Sequence, residues 1–153
     1  MAMTVAAKEL PGLVGKELAP SDWLEITQER INQFADATND HQFIHTDPGK
    51  ASLTPFGSTV AHGYLTLSLL SYLVSQNTIA PEGMAMALNY GSDKVRYLAP
   101  VKTGQRVRAL QKIMEIAEKR PGQWLCKLGV TVEIEGESAP ALIAEILTMY
   151  IIE

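Results

Sequence analysis

The stretch GYLTLSLLSYLVSQ, residues 63–76, decides the fold. It lies inside residues 51–81, which contain no Asp, Glu, Lys or Arg. The spacing of its leucines predicts a helix, and other apolar side chains occupy much of the remaining helix surface. A helix that is apolar nearly all round is a buried helix, so we expect other elements to wrap it. The leucine face holds Leu65, Leu69, Leu70 and Leu73, and the rest of the surface includes Leu67, Tyr72 and Val74.

The hydrophobic period changes to two after Gly83. Alternation of apolar and polar residues is typical of half-buried strands, and a near-continuous apolar run is typical of a buried one. Early helices followed by strands with short turns predict an antiparallel α+β domain. We expect one domain over residues 1–153, in which a long central helix packs against a curved antiparallel sheet. The predicted strands are residues 86–98, 106–116, 124–135 and 141–151.

Composition excludes several classes of protein. The chain has 153 residues, 46% hydrophobic, and a formal net charge of −4, which argues against disorder and against a nucleic-acid partner. A single cysteine cannot form an internal disulfide. The most apolar run, residues 64–74, is shorter than the roughly 20 residues that span a bilayer, and the N-terminus lacks a signal-peptide core. We therefore expect a cytoplasmic protein with no membrane partner.

A polar cluster, NDHQFIHTD at residues 39–47, lies between two predicted helices. Thr27 is a good N-cap for a helix that ends near Ala37, and Asp47 followed by proline begins another. Asp40 and His45 would point away from each other on one continuous helix. If residues 42–44 instead form a bent loop, the carboxylate and the imidazole meet and hold a water for acid–base catalysis.

Other roles for this cluster are equally compatible with the residues. Asp40 could cap a turn, and His45 could bond a backbone carbonyl. His41 and His45 resemble half of a zinc site, but a third ligand is missing from the sequence pattern, so no metal is predicted. Cys126 alternates with core residues in a predicted strand, which indicates packing and not a nucleophile.

A second group of candidates surrounds the start of the buried helix, at AHGY in residues 61–64. The first amides of a helix have no partner within it, and Gly63 would let a ligand oxygen approach them closely, as in an oxyanion site. Gly63 could equally serve tight packing. Ser68 could line a pocket or bond the carbonyl four residues earlier. Lys94 and Arg96 share one face of a strand and could meet phosphates or form a solvated edge, and the Asn89-Tyr90-Gly91 sequence suggests a bulge.

These motifs together resemble the MaoC-like (R)-specific enoyl-CoA hydratases, in particular the nodulation-protein-N-like branch. The resemblance rests on Asn39-Asp40-x-x-x-Ile44-His45-x-Asp47-Pro48 followed by Ala61-His62-Gly63-Tyr64-Leu65, and it extends over essentially the whole chain. It implies the hot-dog fold and a homodimer with acyl-CoA bound at the subunit interface. The commoner family pattern has asparagine and proline where this chain has Gln42 and Phe43, which puts the loop shape and the acyl preference in question.

The resemblance also implies roles for individual residues. Asp40 and His45 would hold the catalytic water, and the Gly63 amide would receive the thioester oxygen. The reaction would be reversible hydration of a trans-2-enoyl thioester, of CoA or of an acyl carrier, to the (R)-3-hydroxyacyl thioester, with no cofactor and a role in fatty acid metabolism. A hot-dog thioesterase and a non-catalytic acyl-thioester binding module are the alternatives. The predicted substrate-binding residues are His62, Tyr64, Ser68, Asn89, Lys94 and Arg96.

Overall fold

A computed structural model describes residues 3–153. Thirteen helices and strands and one 3-10 helix, Ala7–Leu13, make up this part of the chain. In chain order they are β1 (Met3–Val5), the 3-10 helix, β2 (Glu17–Leu18), β3 (Leu24–Glu25), α1 (Gln28–Thr38), α2 (Phe43–Thr46), α3 (Pro48–Ala51), α4 (Gly63–Ser68), α5 (Leu70–Ser75), β4 (Ile79–Pro81), β5 (Met84–Tyr97), β6 (Arg106–Arg120), β7 (Gln123–Ile134) and β8 (Leu142–Ile152).

The long strands form one antiparallel sheet in the order β2-β6-β7-β8-β5, with β3 also paired to β6. A tight turn joins β6 to β7, as its Pro-Gly sequence predicts. Gly122 has a φ of +74° there, and a Cβ on it would lie 2.6 Å from the carbonyl oxygen of Ile152. Only glycine fits this turn without a shift of β8. The four predicted long strands are confirmed.

Helices α4 and α5 lie against one face of this sheet. Leu65, Leu70 and Leu73 are buried in a core with strand residues such as Ile113 and Val130. The predicted helix over residues 63–76 is interrupted at Leu69, where Tyr72 N–H bonds the Leu69 carbonyl only three residues earlier and the turn tightens.

The prediction that this helix is wrapped on all sides is wrong for the single chain. Tyr64 and Tyr72 are 71% and 56% exposed, and Ser68, Ser71 and Ser75 are also exposed. The six-stranded sheet covers only one face of these helices. The α+β arrangement of a helix against an antiparallel sheet is nevertheless confirmed.

The early helices follow their capping residues. Thr27 Oγ1 accepts a hydrogen bond from the Arg30 amide at the start of α1, and Asp47 Oδ1 accepts one from the Lys50 amide at the start of α3. The 11 residues of α1 form the longest helix in residues 3–153. Within that range no helix combines the length and the hydropathy needed to cross a membrane. The short strands β1–β4 and the 3-10 helix have no clear signal in the sequence.

Candidate active site

The segment that carries Asp40 reverses direction immediately after α1. Asn39 adopts the left-handed conformation with a φ of 58°, and the Asp40 amide bonds back to the carbonyl of Ala35 at 3.1 Å. The chain then forms α2, so Phe43 and Ile44 lie in a helical turn. The expected loop over residues 42–44 is therefore wrong in detail. The reversal at Asn39 supplies the bend that brings Asp40 and His45 together.

His45 is held from several sides by its own chain. Its side chain is 7% exposed, and its Nδ1 lies 2.6 Å from the carbonyl oxygen of Val60. A carbonyl only accepts, so Nδ1–H donates and Nε2 keeps its lone pair. Gln28 Nε2 donates to the His45 carbonyl at 2.7 Å, and Thr59 Oγ1 donates a short hydrogen bond to Gln28 Oε1. This network fixes both the backbone and the tautomer of His45.

His62 lies directly beside His45. The two imidazole rings stack with centroids 3.8 Å apart and an angle of 24° between their planes. His62 Nε2 lies 3.0 Å from the backbone carbonyl oxygen of Asp40 and 4.0 Å from its carboxylate Oδ2. The Asp40 side chain is half exposed, whereas His62 is buried. Asp40 therefore reaches solvent from a corner that the two histidines form.

One carboxylate oxygen of Asp40 and one nitrogen of each histidine lie within 4.8 Å of one another. A water molecule can hydrogen-bond two atoms at this separation. His62 also supplies the third metal ligand that the sequence pattern lacks, so that part of the argument against a metal is corrected. Stacked rings, however, aim their in-plane lone pairs side by side and not at a common point, and His62 Nε2–H is already directed at a carbonyl. The geometry favours a water between Asp40 and His45.

The environment lowers the pKa of His45 below its ordinary value of about 6.5. Burial is the largest cause, because it penalises the charged ring. The hydrogen bond to Val60 opposes this effect, His62 adds to the lowering, and the Asp40 charge opposes it. At neutral pH the imidazole is therefore neutral, and its free Nε2 can accept a proton.

Gly63, the first residue of α4, follows His62 and lies at this corner. A Cβ at Gly63 would come within 2.9 Å of the Tyr97 ring, which packs at the end of β5. Tyr97 in turn meets Tyr64 edge to face, with centroids 6.3 Å apart. Glycine is thus required for close packing, and the same lack of a side chain leaves the amide of the first helical residue approachable. The structure shows the close packing at Gly63, and the oxyanion role stays a prediction.

The remaining predicted residues lie away from this corner. Ser68 and Asn89 line a cavity of about 640 Å³ between α4–α5 and strands β5 and β8. Ser68 Oγ also donates to the Tyr64 carbonyl four residues earlier, and a bulge follows Asn89 as predicted. Lys94 pairs with Glu145 at 3.2 Å, whereas Arg96 bonds only the neighbouring Val95 carbonyl among the contacts of the described chain.

Two side chains outside the predicted set also shape the site. Tyr97 packs on Gly63, and Phe34 of α1 packs on His62 with ring centroids 5.0 Å apart. Neither belongs to a polar motif, and both reach the site through tertiary packing. Burial raises the pKa of the Cys126 thiol to about 12. This residue is fully buried, which supports packing and not nucleophilic chemistry.

Known proteins share this fold and much of this sequence. Residues 9–134 match the family model described as MaoC like domain. The chain is 44% identical over 143 residues to 3-hydroxyacyl-thioester dehydratase Z of Mycobacterium tuberculosis (strain H37Rv), covering 94% of each protein. It is 45% identical over 142 residues to nodulation protein N of Rhizobium leguminosarum bv. viciae, covering 92% of this chain and 88% of that one. The structure of an (R)-hydratase of A. caviae involved in PHA biosynthesis matches with a TM-score of 0.71 at 25% identity, covering 88% of this chain and 94% of that one.

A hot-dog domain with an aspartate and two histidines beside the first turn of its helix defines the class of protein. The chain belongs to the MaoC-like domain family. The predicted family, its nodulation-protein-N-like relatives and the hot-dog fold are confirmed. The chain is an enzyme of the hydratase/dehydratase type.

Proposed function

We propose that this enzyme adds water reversibly to trans-2-enoyl-CoA to give (R)-3-hydroxyacyl-CoA, by means of a water held between Asp40 and His45. The observation that carries the proposal is the approach of an Asp40 carboxylate oxygen and a His45 nitrogen to within 4.8 Å, beside His62, which directly precedes Gly63 in the chain. The stereochemistry and the thioester substrate are carried over from the named activities of the related (R)-hydratase and dehydratase.

The chemistry follows from the polarity of the substrate. Conjugation to a thioester carbonyl makes C3 of the alkene electrophilic, and attack of water there builds negative charge on the thioester oxygen. The Gly63 amide would stabilise this enolate, and one such donor contributes about 3–4 kcal/mol in comparable sites. The Asp40–His45 pair takes a proton from the water and returns one to C2. We assign the base role to the pair and not to either residue alone. The reaction needs no cofactor.

Substitution of the pair tests the mechanism. We expect Asp40→Asn and His45→Ala each to lower kcat on crotonyl-CoA at least about 100-fold, as loss of acid–base catalysis does. Asp36→Asn and His41→Ala are matched controls, since these two exposed side chains hydrogen-bond each other in the same region and their variants should keep the normal rate. Normal rates in folded Asp40→Asn and His45→Ala variants would remove the pair from the mechanism.

The same assay separates hydration from the two alternatives. Loss of enoyl absorbance without free thiol is hydration, and release of thiol is thioester hydrolysis. Binding of CoA esters measured by calorimetry, with no turnover at any chain length, would indicate a binding module. Only the first outcome agrees with the proposal.

The acyl chain and the CoA phosphates need separate sites. We infer that the cavity lined by Ser68 and Asn89 takes the acyl chain, because apolar side chains such as Leu67, Leu70 and Ile146 also line it. Arg96 is the better candidate for a phosphate, since Lys94 already pairs with Glu145. We expect Arg96→Gln to raise KM for the CoA ester with kcat unchanged. An unchanged KM would exclude this role.

We also propose that the enzyme is a homodimer joined through β5. This strand closes the described sheet at one end and has only β8 as a neighbour. Exposed side chains along it include Met86, Leu88 and Tyr90. A long apolar edge invites strand pairing, and a second copy would extend the sheet and cover the free face of the helix.

A further inference from the structure

His62 is the most buried ionisable side chain of the site. It is 2% exposed, and its ring packs against both the phenyl ring of Phe34, at a centroid distance of 5.0 Å, and the imidazole of His45, at 3.8 Å. A ring enclosed in this way has no free face for a substrate. The direct substrate contact expected from the sequence therefore does not account for its placement.

Hydrogen bonding fixes the tautomer of His62. Nε2 lies 3.0 Å from the Asp40 carbonyl oxygen, which can only accept, so Nε2 carries the hydrogen. Nδ1 is buried and has no hydrogen-bond partner within residues 3–153. A second proton on Nδ1 would be a buried donor without an acceptor, pressed against the His45 ring. Nε2–H of the ring thus donates a hydrogen bond to Asp40, while the ring face packs against His45.

We propose that His62 is a positioning residue that holds Asp40 and His45 in the geometry for a shared water. Its Nε2–H bond ties the Asp40 backbone to the start of α4, and its ring face sets the plane of the His45 imidazole. One buried side chain thus connects the acid–base pair to the residue before Gly63. This inference rests on the function proposed above, and it assigns His62 a role without contact to the substrate.

Three substitutions separate the hydrogen bond that His62 donates to Asp40 from the stacking of its ring on His45. His62→Phe keeps an aromatic ring on His45 but loses the hydrogen bond to Asp40. His62→Gln keeps a donor near the position of Nε2 but loses the stacked ring. His62→Ala loses both. We expect kcat to fall about 10-fold in each of the first two variants and about 100-fold in the third, because small misplacements of reacting groups cost factors of this size.

The division between kcat and KM separates positioning from binding. We expect KM to stay within about twofold of the normal value in all three variants, since no substrate contact is removed. A rise in KM with kcat unchanged would overturn the proposal in favour of a binding role. His41→Gln, which changes an exposed histidine in the neighbouring loop, is the control and should alter neither constant.

A second measurement does not depend on activity. The chain has three histidines, so their NMR titration curves can be assigned from single His→Gln variants. The titratable groups that act on His45 are Asp40, which follows α1, and His62, which precedes α4. Loss of the His62 ring admits water to His45, and we expect the pKa of His45 to rise towards its ordinary value in His62→Ala and to move less in His62→Phe. An unchanged His45 titration in folded His62→Ala would refute the stacking role.

The outcomes distinguish this proposal from the function on which it rests. If Asp40→Asn and His45→Ala abolish hydration while folded His62→Ala keeps a normal kcat, the positioning role of His62 is refuted and the proposed hydration mechanism is supported. If Asp40→Asn and His45→Ala keep normal rates, both the hydration mechanism and the positioning role of His62 are refuted. Circular dichroism and urea unfolding of each variant show whether it is folded, and His62→Phe and His62→Gln provide readings if His62→Ala is not.

Discussion

Strands β7 and β5 belong to the same sheet, yet their surroundings are opposite. β7 lies between β6 and β8, and its residues from Cys126 to Ile134 alternate between buried and half-buried. β5 is longer, with 14 residues, but nearly all of them are exposed on both faces. The neighbouring strands that bury β7 all belong to the same chain. The surroundings of β5 are incomplete in a single chain, which is why we expect a second copy there.

The two strands also differ in regularity. β7 pairs with β8 in an unbroken register from Gln123 to Val132. The pairing of β5 with β8 shifts three times, between Met84 and Met86, between Asn89 and Gly91, and between Ser92 and Lys94. Bulges of this kind increase the twist of an edge strand. In β5 they also redirect side chains, and the strand ends with Tyr97 against Gly63.

The largest expected effect on stability comes from placing a charge in β7, whose neighbours all belong to its own chain. Val132 is fully buried in β7, so Val132→Asp should cost at least about 4 kcal/mol of unfolding free energy, because it buries an unpaired carboxylate. Leu88→Asp makes a comparable change in β5, where the side chain is 47% exposed, and should leave the chain folded. Urea unfolding of both variants measures the contrast. Equal losses would mean that β5 is as well enclosed as β7.

The next largest effect should be on association. Tyr90 lies near the middle of β5 and is 62% exposed. In a twofold pairing along the whole strand, it would come close to its own copy, so Tyr90→Lys would place two like charges together. We expect the variant to be monomeric at concentrations where the normal protein is dimeric, with at least about 100-fold weaker association, since like-charge contacts at an interface cost several kcal/mol.

Analytical ultracentrifugation measures this association. Val14→Lys is the matched control, because Val14 is also exposed but precedes Gly15, whose amide bonds the Ile113 carbonyl of β6, towards the other side of the sheet. It should leave the dimer intact. A normal protein that sediments as a monomer would contradict the proposed dimer.

The same difference explains what the sequence could predict. Alternation in β7 and the caps at Thr27 and Asp47 are local signals, and the structure follows them. The full burial predicted for residues 63–76 fails because the sheet packs on one face of α4 and α5, and apolar composition does not say how many faces are covered. The proximity of Asp40 and His45 depends on the left-handed Asn39, whose effect on the chain direction is visible only after folding. The contacts of Phe34 and Tyr97 with the site are tertiary and leave no pattern in the sequence.

A smaller effect on stability tests whether Tyr97 of β5 contacts Gly63 at the site. A Cβ at Gly63 would lie 2.9 Å from the Tyr97 ring. We expect Gly63→Ala to destabilise the fold by about 1 kcal/mol through overpacking. In a Tyr97→Ala background the clash is gone, and the same substitution should become neutral or stabilising, since alanine favours a helix over glycine by up to about 1 kcal/mol. Urea unfolding of the four proteins gives the coupling, and equal costs in both backgrounds would show that the two residues are independent.

The smallest effect is the pH dependence of stability that His45 contributes. It tests whether the surroundings of the site are complete within one chain, as those of β7 are, or need a second copy, as we expect for β5. The folded state lowers the pKa of His45, so between that value and about 6.5 the unfolded state binds more protons. Stability should therefore fall as the pH decreases through this window, by at most about 1.4 kcal/mol per pH unit for one group. His45→Gln should remove this part of the slope, measured by urea unfolding between pH 7 and pH 5.

Val60 and His62 belong to the same chain as His45 and contact its ring. The surroundings of His45, like those of β7, should therefore be complete within one chain. The monomeric Tyr90→Lys variant should then keep the low pKa of His45 in an NMR titration, even though its association is lost. A return of that pKa to about 6.5 in the monomer would mean that the second copy supplies the burial. In that case the acid–base pair, like the outer face of the helix, would be complete only in the dimer.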